Sequence, residues 1–129
     1  MPVAGAILRP LHFNVFAFRL RTRQYTSMLL ADLPIEVDMD AVSLFCRDRA
    51  IRRLALFGSV TRSDFTPASD VDVLVEYLPG HHPGLMLFRH QDELAARFGR
   101  AVDLHTPASL SRYFREEVLA KALPIYEQA

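Results

Sequence analysis

Gly58-Ser59 and, ten residues further on, Asp70-Val71-Asp72-Val73-Leu74-Val75-Glu76 are the stretch from which the fold of this chain can be read. Arg53-Leu-Ala-Leu-Phe57 in front of Gly58 has the make-up of a strand, and Gly58-Ser59 marks a sharp turn out of it. The loop Ser63 to Ser69 is rich in turn formers, and Asp70 to Glu76 reads as a second strand that ends at Pro79-Gly80. Side chains alternate along a strand, so Asp70 and Asp72 are expected on one face, with Val71, Val73 and Val75 turned to the core. Two residues of strand rise place their Cα atoms ~6.6 Å apart. Carboxylates at that spacing can close around hard cations, which in two-metal sites sit ~3.5–4 Å apart.

Working outward, Asp40 to Arg49 reads as a short helix with Asp40 as its N-cap and Val42, Leu44 and Phe45 as its apolar residues. A longer helix begins near Pro83 and stops at Gly99, in which Leu87, Leu94 and Phe98 fall at helical spacing and point to the core. Ala101-Val-Asp-Leu104 reads as a third strand. Thr106-Pro107 has the form of a cap and first position for a final helical region, broken by Pro124. This alternation predicts an α+β fold, α/β-like in its order, with helices packed on a small mixed β-sheet.

Asp103 offers a third carboxylate, with Val102 and Leu104 on the core side. If its strand neighbours that of Asp70, the acids converge. Each pair of ionised carboxylates at ~5 Å would then repel by about 3 kcal/mol at an effective dielectric of ~20. Cations relieve that repulsion, and a carboxylate set with open water positions suits Mg2+ or Mn2+ better than zinc. Gly58 lets the backbone bend and approach a ligand closely. Ser59 adds a hydroxyl and the exposed N–H groups of a first turn, which together suit the phosphate tail of a nucleotide. Arg62 can add a charge-assisted contact to the same phosphates.

Composition narrows the partners. The chain has 129 residues, half of them hydrophobic and 23% charged, which fits one globular domain. Residues 1–31 hold Arg9, Arg19, Arg21 and Arg23 and no acid. That leaves 11 of the 15 basic side chains against all 15 acids beyond them, a formal −4. A domain of that sign has no broad footprint for nucleic acid, and no apolar run approaches the ~18 residues needed to span a bilayer. Cys46 is the only cysteine, so no internal disulfide forms. A lone cysteine in a helix reads as a small buried hydrophobe, and it fits a reducing, cytoplasmic setting. Residues 1–27 differ from the rest and read as an N-terminal extension ahead of a domain over 28–129. A transit-like presequence, an ordered arm and an extension upstream of a start at Met28 compete, and the last is favoured because the organised pattern begins only beyond it.

Other features carry no function. His81-His82, with His90 nearby, sits among Pro79-Gly80 and Pro83-Gly84 as an exposed turn. Glu93, Glu116 and Glu117 lie near Arg97, Arg112 and Arg115 and read as solvated helix faces.

Gly58-Ser59, Asp70-Val71-Asp72 and Arg100-Ala-Val-Asp103-Leu together resemble the DNA polymerase beta-type nucleotidyltransferase superfamily, and more narrowly its small stand-alone minimal nucleotidyltransferase proteins. The resemblance runs from about residue 38 to the end, and residues 1–27 have no counterpart in it. It implies the polymerase beta-type fold and AMP transfer from ATP with Mg2+ or Mn2+. The acceptor it implies is a hydroxyl, of a tyrosine, on a HEPN-domain toxin whose antitoxin this chain would be. It assigns Asp70 and Asp72 to both metals, and Asp103 to the catalytic metal and to deprotonation of the acceptor. Two alternatives stay open: an antitoxin that only binds its toxin, and transfer to a small molecule. Arg100 and His105 match the Arg-x4-His spacing of HEPN ribonucleases, but that motif needs a helix and this run reads as a strand.

Overall fold

The structure, a computed structural model, describes residues 33–63 and 65–128. The extension read over residues 1–27 lies outside the described residues. Within them, helix α1 (Met39–Asp48) leads into strand β1 (Ile51–Phe57), a short 3-10 turn (Gly58–Thr61) and strand β2 (Val71–Tyr77). Helix α2 (Met86–Phe98) then crosses to strand β3 (Val102–His105). A 3-10 turn (Pro107–Ser109), helix α3 (Arg115–Lys121) and strand β4 (Leu123–Glu127) complete the order. The strands form one sheet in the order β3-β2-β1-β4. β1 pairs antiparallel with β2 and with β4, whereas β2 and β3 run parallel. A parallel pair needs a long crossover, and α2 supplies it. The mixed sheet with helices is the one the sequence predicts.

Alternation sorts the two faces. Leu54 and Leu56 of β1, Val71, Val73 and Val75 of β2, and Val102 and Leu104 of β3 are buried. With Val42, Phe45 and Cys46 of α1 and Leu94 of α2 they make the main core. The opposite face is covered only in part. There Ala55, Leu74, Leu110 and Ala122 form a second cluster, with Phe57, Val118 and Leu119 packed against it. The α3 end of the chain thus shields the middle of that face, and the ends of β2 and β3 nearest the Gly58 turn keep their polar side chains.

Several local readings change. The N-cap of α1 is Asp38, whose Oδ1 accepts from the N–H groups of Asp40 and Ala41 at 3.1 Å. Asp40 lies inside the helix, and Leu44 is 60% exposed, so it takes no part in the core. Gly99 closes α2 in the left-handed region at φ 68°, as expected of a C-terminal glycine. Thr106 and Ser109 do form a capping box with Pro107 at its first position, but they cap only a three-residue turn. Pro124 does not break a helix. It sits in β4, the edge strand of the sheet, opposite Ala55, and edge strands are where proline is tolerated in a sheet. Glu93 is more than a solvated face: Arg49 Nε donates to its Oε1 at 3.0 Å and ties α2 to α1. The guanidinium groups of Arg49 and Arg97 both lie over the Phe45 ring, at 4.0 and 4.8 Å.

Cys46 is fully buried, and burial pushes its thiol up to about 12. It is a packing residue. A disulfide reagent such as dithionitrobenzoate should label it at least ~100-fold more slowly in the native protein than in guanidinium, since thiolate and access are both withdrawn. Equal rates in the two states would contradict this. His90 is buried too, its Nδ1 2.7 Å from the hydroxyl of Tyr77, while His81 and His82 are exposed.

Candidate active site

The corner after β1 is built on Gly58, whose φ of 76° belongs to the left-handed region. The 3-10 turn is held by Thr61 Oγ1 donating to the Gly58 carbonyl at 2.7 Å and by the Arg62 N–H donating to the Ser59 carbonyl at 2.9 Å. Ser59 therefore lies within a short 3-10 turn that begins at Gly58. A second constraint on Gly58 comes from across the sheet. A Cβ at this position would overlap Asp72 Oδ2 and stand 3.1 Å from Asp72 Cγ. The glycine and the carboxylate occupy adjoining space, so the corner lies directly against Asp72.

Asp72 and Asp103 face each other across the parallel β2–β3 pair. The ladder continues with Leu74 opposite His105, and alternation puts Asp103 and His105 on one face of β3. His105 Nε2 stands 3.0 Å from Asp103 Oδ2, and its ring meets the edge of Phe57 at 5.6 Å between centroids. Asp72, Asp103 and His105 each offer one ligand atom, and these atoms all lie within 4.8 Å of one another. The side chain of Asp103 is 52% exposed and that of His105 28%, so the group is open to solvent on one side. Two carboxylates and an imidazole at this separation fit a divalent cation without rebuilding the sheet.

Asp70 does not join this group. Its N-terminal position in the strand was expected, but β2 starts at Val71, whose N–H donates to the Ala101 carbonyl at 2.9 Å. Asp70 is exposed one residue before the strand. Its charge is nevertheless felt at Asp72. Burial, then the charge of Asp103, and to a lesser degree that of Asp70, hold the Asp72 carboxyl above the ordinary aspartate range, while His105 and Arg62 oppose the shift. Arg62 is exposed at the end of the Gly58 turn. The loop between turn and β2 is tethered by Arg100, which donates to the Ser69 carbonyl at 3.3 Å and lies over the Phe65 ring at 4.7 Å.

His105 is the member that sequence reasoning missed. The apolar pattern of the third strand ends at Leu104, and one more residue of the same alternation places His105 beside Asp103.

The raised Asp72 carboxyl has a consequence for stability. A carboxyl whose folded pKa exceeds its unfolded one favours the fold below the unfolded value, about 3.9. That contribution disappears as pH rises through the folded value. Ionised Asp72 therefore weakens the ion-free fold at neutral pH. Asp72→Asn should raise the Tm of chelator-treated protein at pH 7, and the gain should shrink as pH falls towards 4. A lower Tm at pH 7 would show that the carboxylate is not strained by its neighbours.

A mixed sheet with an acidic pair beside a glycine–serine corner defines a class, and comparison with known proteins gives the same class. The chain belongs to the nucleotidyltransferase domain family, whose model matches residues 39–126, and it is a nucleotidyltransferase. It is 32% identical over 75 residues to a Methanocaldococcus jannaschii protein, MJ0435, named as a protein adenylyltransferase, covering 58% of this chain and 80% of that one. A solved minimal nucleotidyltransferase is 32% identical, with a TM-score of 0.57 over 67% of this chain and 87% of that chain. A toxin–antitoxin structure solved with AMP-PNP shares the fold at 19% identity. Its TM-score is 0.58 over 71% of this chain and 75% of that chain.

Proposed function

We propose that this chain moves AMP from ATP to a tyrosine hydroxyl of a HEPN-domain toxin, as the antitoxin of that pair. The observation that carries the proposal is the register of β2 and β3, which sets Asp72 opposite Asp103 against the Gly58 corner. The relative named as a protein adenylyltransferase and the fold shared with a toxin–antitoxin protein support a protein acceptor.

Asp72 and Asp103 would hold Mg2+ or Mn2+, with Asp70 at the rim completing the acidic set. When bound, a divalent ion there supplies Lewis-acid polarisation of the phosphates and offsets the repulsion between the acids. Ser59 receives the β and γ phosphates through its hydroxyl and the N–H groups of its turn, and Gly58 keeps that backbone bare enough for close approach. Arg62 adds a charge-assisted hydrogen bond to the same tail. Asp103, half-exposed at the edge of the group, takes the proton of the acceptor hydroxyl at a carboxylate oxygen. The acceptor oxygen then bonds to the α-phosphorus in line with the departing oxygen, and pyrophosphate leaves.

The test is incubation of the protein with ATP, a divalent cation and the HEPN-type product of a neighbouring gene, followed by intact-mass and peptide mapping of that product. One adenylyl group on a tyrosine is expected. Neutralisation of the toxin with its mass unchanged would overturn the catalytic reading in favour of an antitoxin that only binds.

A further inference from the structure

We infer that His105 is a ligand of the same cation site and that it makes the site select Mn2+ over Mg2+. The inference rests on the metal-holding role proposed for Asp72 and Asp103 and adds a third donor of a different kind. Its basis is geometric. Two donors at adjacent positions of an octahedral ion, each about 2.1–2.2 Å from it, stand ~3.0 Å apart. Asp103 Oδ2 and His105 Nε2 are 3.0 Å apart. They are already spaced as neighbouring ligands, and the Asp72 carboxylate completes a set within 4.8 Å.

Two features hold the imidazole in place. Strand alternation sends Asp103 and His105 to the same side of β3. The edge contact with Phe57, at an interplanar angle of 63°, seats the ring beside the residue that leads into the Gly58 corner. The chemistry of the donors then sets the preference. Mg2+ favours oxygen ligands and keeps its waters, whereas imidazole nitrogen binds first-row transition ions more readily. Two carboxylates and one imidazole keep enough oxygen character for Mn2+ while penalising Mg2+. Coordination uses the Nε2 lone pair, so a bound ion takes the place of the 3.0 Å contact between His105 Nε2 and Asp103 Oδ2.

The experiment uses the full chain, stripped of metal and loaded with Mn2+, with pulsed electron paramagnetic resonance as the readout. A 14N hyperfine coupling from a directly bound imidazole is expected in the wild type and should vanish in His105→Gln. The variant should bind Mn2+ about tenfold or more weakly, and Mg2+, read by displacement of Mn2+, should change less than about twofold. Mn2+ held by the wild type without nitrogen coupling would overturn the role of His105 and leave the two aspartates as the site. Failure of the wild type to bind Mn2+ at all would overturn both this inference and the reading beneath it.

Discussion

Replacing Asp72 or Asp103 with Asn should lower nucleotidyl transfer by on the order of 10³-fold or more, about 4 kcal/mol of transition-state stabilisation, with the fold retained. The size follows from what each carboxylate does. Both face the same space across the β2–β3 ladder, so neither can be replaced by the other without losing the opposed pair. Asn is nearly isosteric and keeps one oxygen, but it brings no charge to hold a cation and no base to take a proton. Neither residue supports the core, since Asp103 is half-exposed and the neighbours Val71, Val73, Val102 and Leu104 carry the packing. Transfer measured by pyrophosphate release, alongside thermal melting, separates the two effects. Undiminished transfer in the Asp72→Asn, Asp103→Asn double variant would remove the site from the account. Asp70→Asn should cost less than either, because Asp70 is exposed outside the close group.

Gly58→Ala should have the next largest effect, a loss of transfer of about 100-fold or more together with roughly 1–2 kcal/mol of stability from backbone strain. The two losses have separate causes. At φ 76° any side chain is strained, wherever it points. The added methyl also collides with the Asp72 carboxylate, so the side chain that faces Asp103 must move. Gly80→Ala provides the control. Gly80 has φ 83° but nothing within 4 Å of its would-be Cβ, so it carries the strain without the collision. A comparable fall in Tm for both variants, with transfer lost only in Gly58→Ala, is the expected pattern. Equal activity in the two would mean that the corner is merely a turn.

The parts of the fold that were legible in the sequence are those where local chemistry leaves few choices. The alternation of valines around Asp72 and the glycine after Phe57 fix β2 and the end of β1. The Val-Asp-Leu run fixes the centre of β3, and Gly99 fixes the end of α2. Where two residues suit one role equally, the sequence does not choose: Asp38 and Asp40 both make good caps, and the fold uses the first. β4 was hidden because proline carries opposite meanings in a helix and at a sheet edge, and only the place of the strand beside β1 decides between them.

The site was legible in its residues more than in its geometry. Gly58, Asp72 and Asp103 come together as expected, and the charge of Asp70 reaches Asp72. Asp70 and Asp72 were expected within one strand, but β2 begins at Val71 and Asp70 stands exposed one residue before it. His105 was lost at the other end of the same ladder, where β3 runs one residue further than its apolar pattern shows. The pairing of Glu93 with Arg49 depends on two helices meeting across 44 residues of chain, which no local pattern encodes.

The most direct measurement is a crystal structure of the protein with a non-hydrolysable ATP analogue and a divalent cation. The α-phosphate is expected beside Asp72 and Asp103, with the rest of the phosphate chain lying along Gly58 and Ser59. A nucleotide bound elsewhere, or one whose phosphates reach the glycine–serine turn while Asp103 points away from them, would contradict it.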